Sequence, residues 1–170
     1  MMSRAVQWVL ILAAIGLCGA EVAPARAEGG DPAALAAALE DTTATLQGGL
    51  KASENEGTPI SAKFEIEDGK LQLSVYTMTR DGFIEVVADP ATGAAKAEKI
   101  TDAEDLKAAT SQKAAMAKAT VPLLATESAV KGNAGFRAVS IMPGLRDEHA
   151  TAEVTLLQGS TFKKVTERLD

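Results

Sequence analysis

The chain has one cysteine, one tryptophan and one histidine in 170 residues, and it has no apolar run long enough to cross a bilayer. The longest such run, Trp8 to Ala20, has thirteen residues where a spanning helix needs about 20. Its surroundings explain it better as a secretory signal peptide. Arg4 places a positive charge ahead of the run, a short polar stretch follows, and Ala25-Arg26-Ala27 supplies the small side chains a signal peptidase accepts before the cut. Cleavage there makes residues 1–27 the leader and Glu28 the first residue of an exported protein, periplasmic or secreted. A lipid anchor is disfavoured because Leu17, not a small residue, precedes Cys18.

Removing the leader also removes Cys18 and Trp8, so the remaining 143 residues are expected to fold without disulfides, by burial alone. With Arg4, Arg26 and Glu21 gone, 15 basic residues face 22 acidic ones, a net charge of −7. An acidic surface repels phosphate backbones and anionic lipid, which argues against nucleic acid as a partner and against membrane insertion after cleavage. A single histidine and no cysteine exclude zinc coordination of the usual composition. No serine sits in a Gly-x-Ser-x-Gly elbow, and a Ser-His-Asp arrangement has only His149 available, in the expected hairpin turn after Arg146-Asp147-Glu148. The expectation is a protein that is not an enzyme and carries no cofactor, metal or catalytic residues.

Asp31-Pro32 is a good helix start, and Leu35, Leu39, Thr42, Leu46 and Leu50 recur at helical spacing, which predicts one amphipathic helix to about Ser53. From Ile60 the period changes to two. Ile60, Ala62, Phe64 and Ile66 alternate with polar residues; Glu67-Asp68-Gly69-Lys70 is hairpin chemistry; Leu71, Leu73 and Val75 alternate again; and Thr79-Arg80-Asp81-Gly82 turns the chain into Phe83 to Ala88. Asp89-Pro90-Ala91-Thr92-Gly93 closes this three-stranded meander. A second helix is expected from Thr101, with Glu104 at capping-box spacing, running toward Val130 with a kink or break near Ala119 to Pro122. Three more strands then follow, Phe136 to Met142, His149 to Gln158 and Thr161 to Leu169, with Pro143-Gly144 interrupting the first.

The order helix, strand, strand, strand thus occurs twice. Sliding the chain on itself by 79 residues aligns Gly57 to Ala91 with Phe136 to Asp170 without a gap, pairing Ser61 with Ser140, Asp68 with Asp147, Val75 with Val154, Phe83 with Phe162 and Val86 with Val165. The predicted class is α+β: tandem units, 28–100 and 101–170, each an amphipathic helix packed on a three-stranded antiparallel sheet.

The helix, the hairpin from Ile60 to Tyr76 and the turn Asp89-Pro90-Ala91-Thr92-Gly93 resemble a PepSY domain over about Leu39 to Ile100, and the second half is similar in order but weaker in sequence. The resemblance implies an exported module that inhibits or regulates peptidases, so the expected function is non-enzymatic binding of a protein partner, a peptidase first. The alternative is a small-ligand carrier or sensor whose groove between the two units holds an apolar or cationic molecule. A structural envelope component is a third reading. The carboxylates Glu65, Glu67 and Asp68 and the group Asp102, Glu104 and Asp105 are explained by a strand-to-turn face and a helix N-terminus. Tyr76 has the phase opposite to Leu73 and Val75, and if exposed it marks a candidate contact face.

Overall fold

A computed structural model describes residues 31–123 and 127–170; the leader expected at 1–27 lies outside the described residues. Eleven elements follow in order: α1 (Pro32–Glu40), α2 (Leu46–Ser53), β1 (Thr58–Glu67), β2 (Lys70–Thr79), β3 (Gly82–Ala88), β4 (Ala95–Lys99), α3 (Ala103–Met116), α4 (Glu127–Lys131), β5 (Arg137–Arg146), β6 (His149–Gln158) and β7 (Thr161–Arg168). The seven strands form one antiparallel sheet in the order β4-β3-β2-β1-β5-β6-β7. The α+β class is as expected. The two expected three-stranded sheets are instead one continuous sheet with an added edge strand, β4, and a single cluster of buried apolar residues from Leu35 to Leu169 draws on both halves.

The expected long first helix is two. Asp31 caps α1 by accepting from the Ala33 N–H, and Pro32 sits at its first position. The apolar phase runs on past Glu40, but Thr42 Oγ1 accepts from the Ala44 N–H and Thr45 caps α2 by accepting from Gly48, so threonine side chains take backbone donors that a continuous helix would use. The second expected helix is also shorter. Asp102, not Thr101, caps α3, accepting from Glu104 and Asp105. α3 ends at Met116, a break rather than a kink just ahead of Ala119 to Pro122, and the separate α4 carries Val130. Pro143 and Gly144 do not interrupt β5, which pairs with β6 through Arg146↔His149. Beyond Met142 the other side of β5 has no strand pairing with β1, which is where a proline without an N–H is tolerated.

The pairing registers repeat at the offset of 79. Val75↔Val86 in β2–β3 is matched by Val154↔Val165 in β6–β7. The irregularity that loops out Ile60 between Pro59 and Ser61 is matched at Val139 between Ala138 and Ser140. At the centre, β1 and β5 pair through only Ala62↔Ile141 and Lys63↔Ser140. Antiparallel strands are related by a local two-fold axis normal to the sheet, and here it falls on Ala62 and Ile141, which are themselves 79 apart. Helix α4 likewise lies where the offset carries α2, with Leu50 and Ala129 both buried in the core.

Helices cover both faces of the sheet. α2 lies over the face of Leu73 and Val75, so close that a Cβ on Gly49 would stand 2.4 Å from Leu73 Cδ2. α3 packs on β5, β1 and β6 from the other side, where its Ala109 joins Ile60, Tyr76 and Ile100. Central β1 is therefore buried on both faces, Ser61 to Glu65 without exception.

Candidate functional site

The face beneath α3 holds the densest set of ionisable groups. On β1, Lys63 and Glu65 form a buried ion pair at 2.5 Å. The remaining capacity of Glu65 is filled by Ser74 Oγ at 2.6 Å and Gln72 Nε2 at 3.1 Å, both donated from β2. These contacts follow from register, since Lys63↔Ser74 and Glu65↔Gln72 are directly opposed and share a face. Further along the same face stand Tyr76 on β2 and Glu85 on β3, opposed as Tyr76↔Glu85, with Glu98 next on β4. Asp105 reaches down from α3. Burial pushes the Glu85 carboxyl up to about 7; the Ser74 hydroxyl opposes this, the Glu65 and Asp105 charges add to it, and Lys63 reduces it. Burial also raises Asp105, against the lowering effect of the Tyr76 hydroxyl.

Tyr76 is only 1% exposed, which removes it as a surface contact. Its phase is as read from the sequence, opposite to Leu73 and Val75, but α3 covers that face. The carboxylates taken for solvated groups divide. Glu67 and Asp68 belong to a hairpin end, whereas Glu65 and Asp105 are buried, at 4% and 5% exposure. Glu85 drew no attention in the sequence because a single glutamate within Phe83 to Ala88 reads as an outward residue; its burial depends on a helix that follows in the chain. Lys63 answers Glu65, and the cluster serves as internal support between α3 and the sheet.

His149 sits at the opposite end of the molecule, half exposed, with Nδ1 2.9 Å from Asp170 Oδ2 and 2.8 Å from an Arg168 terminal nitrogen. The bond to His149, with Arg168 and the Ala150 N–H, holds the Asp170 carboxyl down to about 2. This arrangement ties the chain after β7 back to β6, and among the described residues no serine hydroxyl is bonded to the ring. Among the described residues no group of three or more His, Cys, Asp or Glu is arranged to hold a metal ion.

Among the open features are both sheet edges, β4 and β7, a cleft of about 490 Å³ beside Lys70 and Pro90, and a groove between the two halves. The first to consider is the outer edge of β4. The Ile100 N–H donates to the Phe83 carbonyl and the Asp89 N–H to the Ala94 carbonyl. Alternation between them turns the backbone groups of Lys96 and Glu98 toward β3 and those of Ala95, Ala97 and Lys99 outward. All five residues of β4 are exposed. The second is a groove of about 320 Å³ between the two halves, on the face opposite α3, lined by Thr45 and Gln47 of α2, Val130 and Lys131 of α4, and Phe136, Arg137 and Ala138 at the start of β5. Arg137 is one of its lining residues. Its guanidinium donates to the carbonyls of Leu39 at 2.8 Å, Thr42 at 3.3 Å and Ala44 at 2.7 Å, closing the C-terminal end of α1, and lies over the Phe64 ring.

Comparison with family models, with curated proteins and with solved structures finds no match to this chain. Its functional reading therefore rests on its own geometry and on the sequence resemblance.

Proposed function

We propose that the chain is an exported, non-enzymatic binding module built from two degenerate PepSY-like units that share one sheet, and that it recognises another exported protein, a peptidase first, through the edge of β4. The repeated registers and the matched irregularities at Ile60 and Val139 support the duplication. The observation that carries the binding reading is the β4 edge. Ala95, Ala97 and Lys99 turn their N–H and C=O groups outward, and two of the three have side chains small enough for a second strand to approach. Adding a strand to such an edge gives affinity through main-chain hydrogen bonds and specificity through alternate side chains. Lys96, Glu98 and Lys99 protect the edge against indiscriminate pairing, since a partner must match their charges. The sheet face around Tyr76 is closed to this role by α3.

The test is inhibition of, and binding to, the peptidases exported by the same cell, using the chain from residue 28 onward, which contains every core residue. Ala97→Pro removes one outward donor and leaves the β3–β4 hydrogen bonds intact. Losing one edge bond at about 1 kcal/mol, together with the steric block to a neighbouring strand, weakens binding roughly tenfold. Unchanged inhibition by Ala97→Pro, or no effect of the parent chain on any of these peptidases, refutes the proposal.

A further inference from the structure

We infer that the groove between α2 and α4 binds a carboxylate carried on a short apolar group. This is a second site, independent of the β4 edge. The observation behind it is charge placement. The chain is acidic, with 23 Asp and Glu against 17 Lys and Arg, yet the described residues that line the groove include Arg137 and no carboxylate. A cationic guest would meet the like charge of Arg137 there, so the inference takes an anionic one.

Arg137 makes the argument specific. A half-buried guanidinium normally has a carboxylate beside it, because desolvating an unpaired charge is costly. Arg137 has only the three carbonyl oxygens of Leu39, Thr42 and Ala44 and the face of Phe64, with no carboxylate partner among the described residues. Burial alone lowers its proton affinity. Three neutral acceptors use three of the five guanidinium N–H groups, leaving donors for an anion that would restore charge balance. Val130, Phe136 and Ala138 supply an apolar wall beside it, and Thr45 and Gln47 a polar rim. A volume of about 320 Å³ is at the small end for ligand sites, so the fitting guest is a single apolar side chain or short alkyl chain ending in a carboxylate. Two sources share that chemistry, a free alkanoic acid and the C-terminal residue of a peptide.

The experiment titrates four probes into the chain from residue 28 onward and follows backbone amide shifts by NMR: hexanoate, hexanol, N-acetyl-alanyl-leucine and its C-terminal amide. Hexanoate and the free-acid peptide are expected to shift Gln47, Val130, Lys131, Phe136 and Ala138, with hexanol and the amide at least tenfold weaker. Whichever of hexanoate and the peptide acid binds more tightly identifies the source. Arg137→Leu is expected to abolish binding but also releases the end of α1, so the deciding variant is Gln47→Glu. It places a negative charge on the rim, at the first turn of α2 where acidic residues favour the helix, and should weaken hexanoate about tenfold with the fold intact. Equal binding of hexanoate and hexanol, shifts that map elsewhere, or no effect of Gln47→Glu overturns the inference.

Discussion

Replacing Glu85 by glutamine should stabilise the protein, with the gain developing between pH 4.5 and about 7 and complete above that. Glu85 faces Glu65 and Lys63 on β1, Ser74 and Tyr76 on β2, Glu98 on β4 and Asp105 on α3. Its carboxyl is raised from 4.5 to about 7, chiefly by burial. A carboxyl whose folded pKa exceeds its unfolded value binds its proton more tightly in the native state. Stability is then greatest below pH 4.5, falls as the pH rises through the interval to about 7, and stays at the lower value above it. At about 1.4 kcal/mol for each tenfold in proton affinity, the full interval corresponds to about 3 kcal/mol. Glu85 keeps some contact with water, which reduces the figure to roughly 1–2 kcal/mol. Glutamine keeps the shape and never ionises. Urea unfolding of parent and Glu85→Gln at pH 4 and pH 8 should therefore give near-equal stabilities at the lower pH and a variant more stable by about 1–2 kcal/mol at the higher. Asp105, shifted in the same direction, leaves a smaller pH dependence in the variant. A variant that is equally or less stable than the parent at pH 8, or a difference that does not change with pH, refutes the reasoning.

Two further substitutions test the packing and the repeat. Gly49→Ala would gain about 1 kcal/mol on an exposed helix, but here the new Cβ meets Leu73 Cδ2 at 2.4 Å and Cγ at 3.0 Å. Leu73 is itself boxed into the core, so overpacking at about 1–3 kcal/mol wins and urea denaturation should show a net loss. Glu148→Gly should do the opposite. Glu148 adopts φ +66° in the hairpin where its counterpart, Gly69, has φ +74°, and glycine there relieves a left-handed side chain. A gain of about 0.5–1 kcal/mol in urea denaturation is expected, less whatever the added freedom of the unfolded chain takes back.

What was legible from sequence was local. The hairpin at Asp68-Gly69 has positive φ at both residues, as its composition requires, and the offset of 79 carries the same turn to Asp147-Glu148. Alternation from Ala62 to Val75 placed β1 and β2 because one of their faces is uniformly apolar; Ile60, read on that face, is looped out and joins Tyr76 beneath α3 instead. The break between α1 and α2 was hidden because Leu39 and Leu46 stay in helical phase across it; the deciding interactions are threonine hydroxyls on backbone donors, which no periodicity reports. Strand β4 was missed for a related reason. Ala95-Lys96-Ala97-Glu98-Lys99 is exposed along its whole length, so no core selects an alternating pattern. The cluster was invisible because Lys63, Glu65 and Glu85 alternate like outward-facing strand residues; Lys63 and Glu65 are buried and Glu85 half-buried only because α3 docks from elsewhere in the chain.

That docking also determines where this molecule can bind anything. The offset of 79 carries α1 onto residues 111–119, so a faithful repeat would place the second long helix beside α4, on the face that α1 and α2 occupy. α3 lies on the other face instead, where Ala109 covers Tyr76 and Asp105 completes the polar cluster. The chain then passes back along the end of β7, where Thr120 and Val121 donate to the Leu169 carbonyl, to reach α4. The departure from symmetry has two consequences. It closes the outer face of the sheet around Tyr76, leaving the sheet edges, that of β4 among them, as open backbone. It also leaves α4 as a single short helix, so that α2, α4 and the start of β5 do not close over Arg137. The groove is thus a place where the second half fails to copy the first, and a helix restored beside α4 would be expected to fill it.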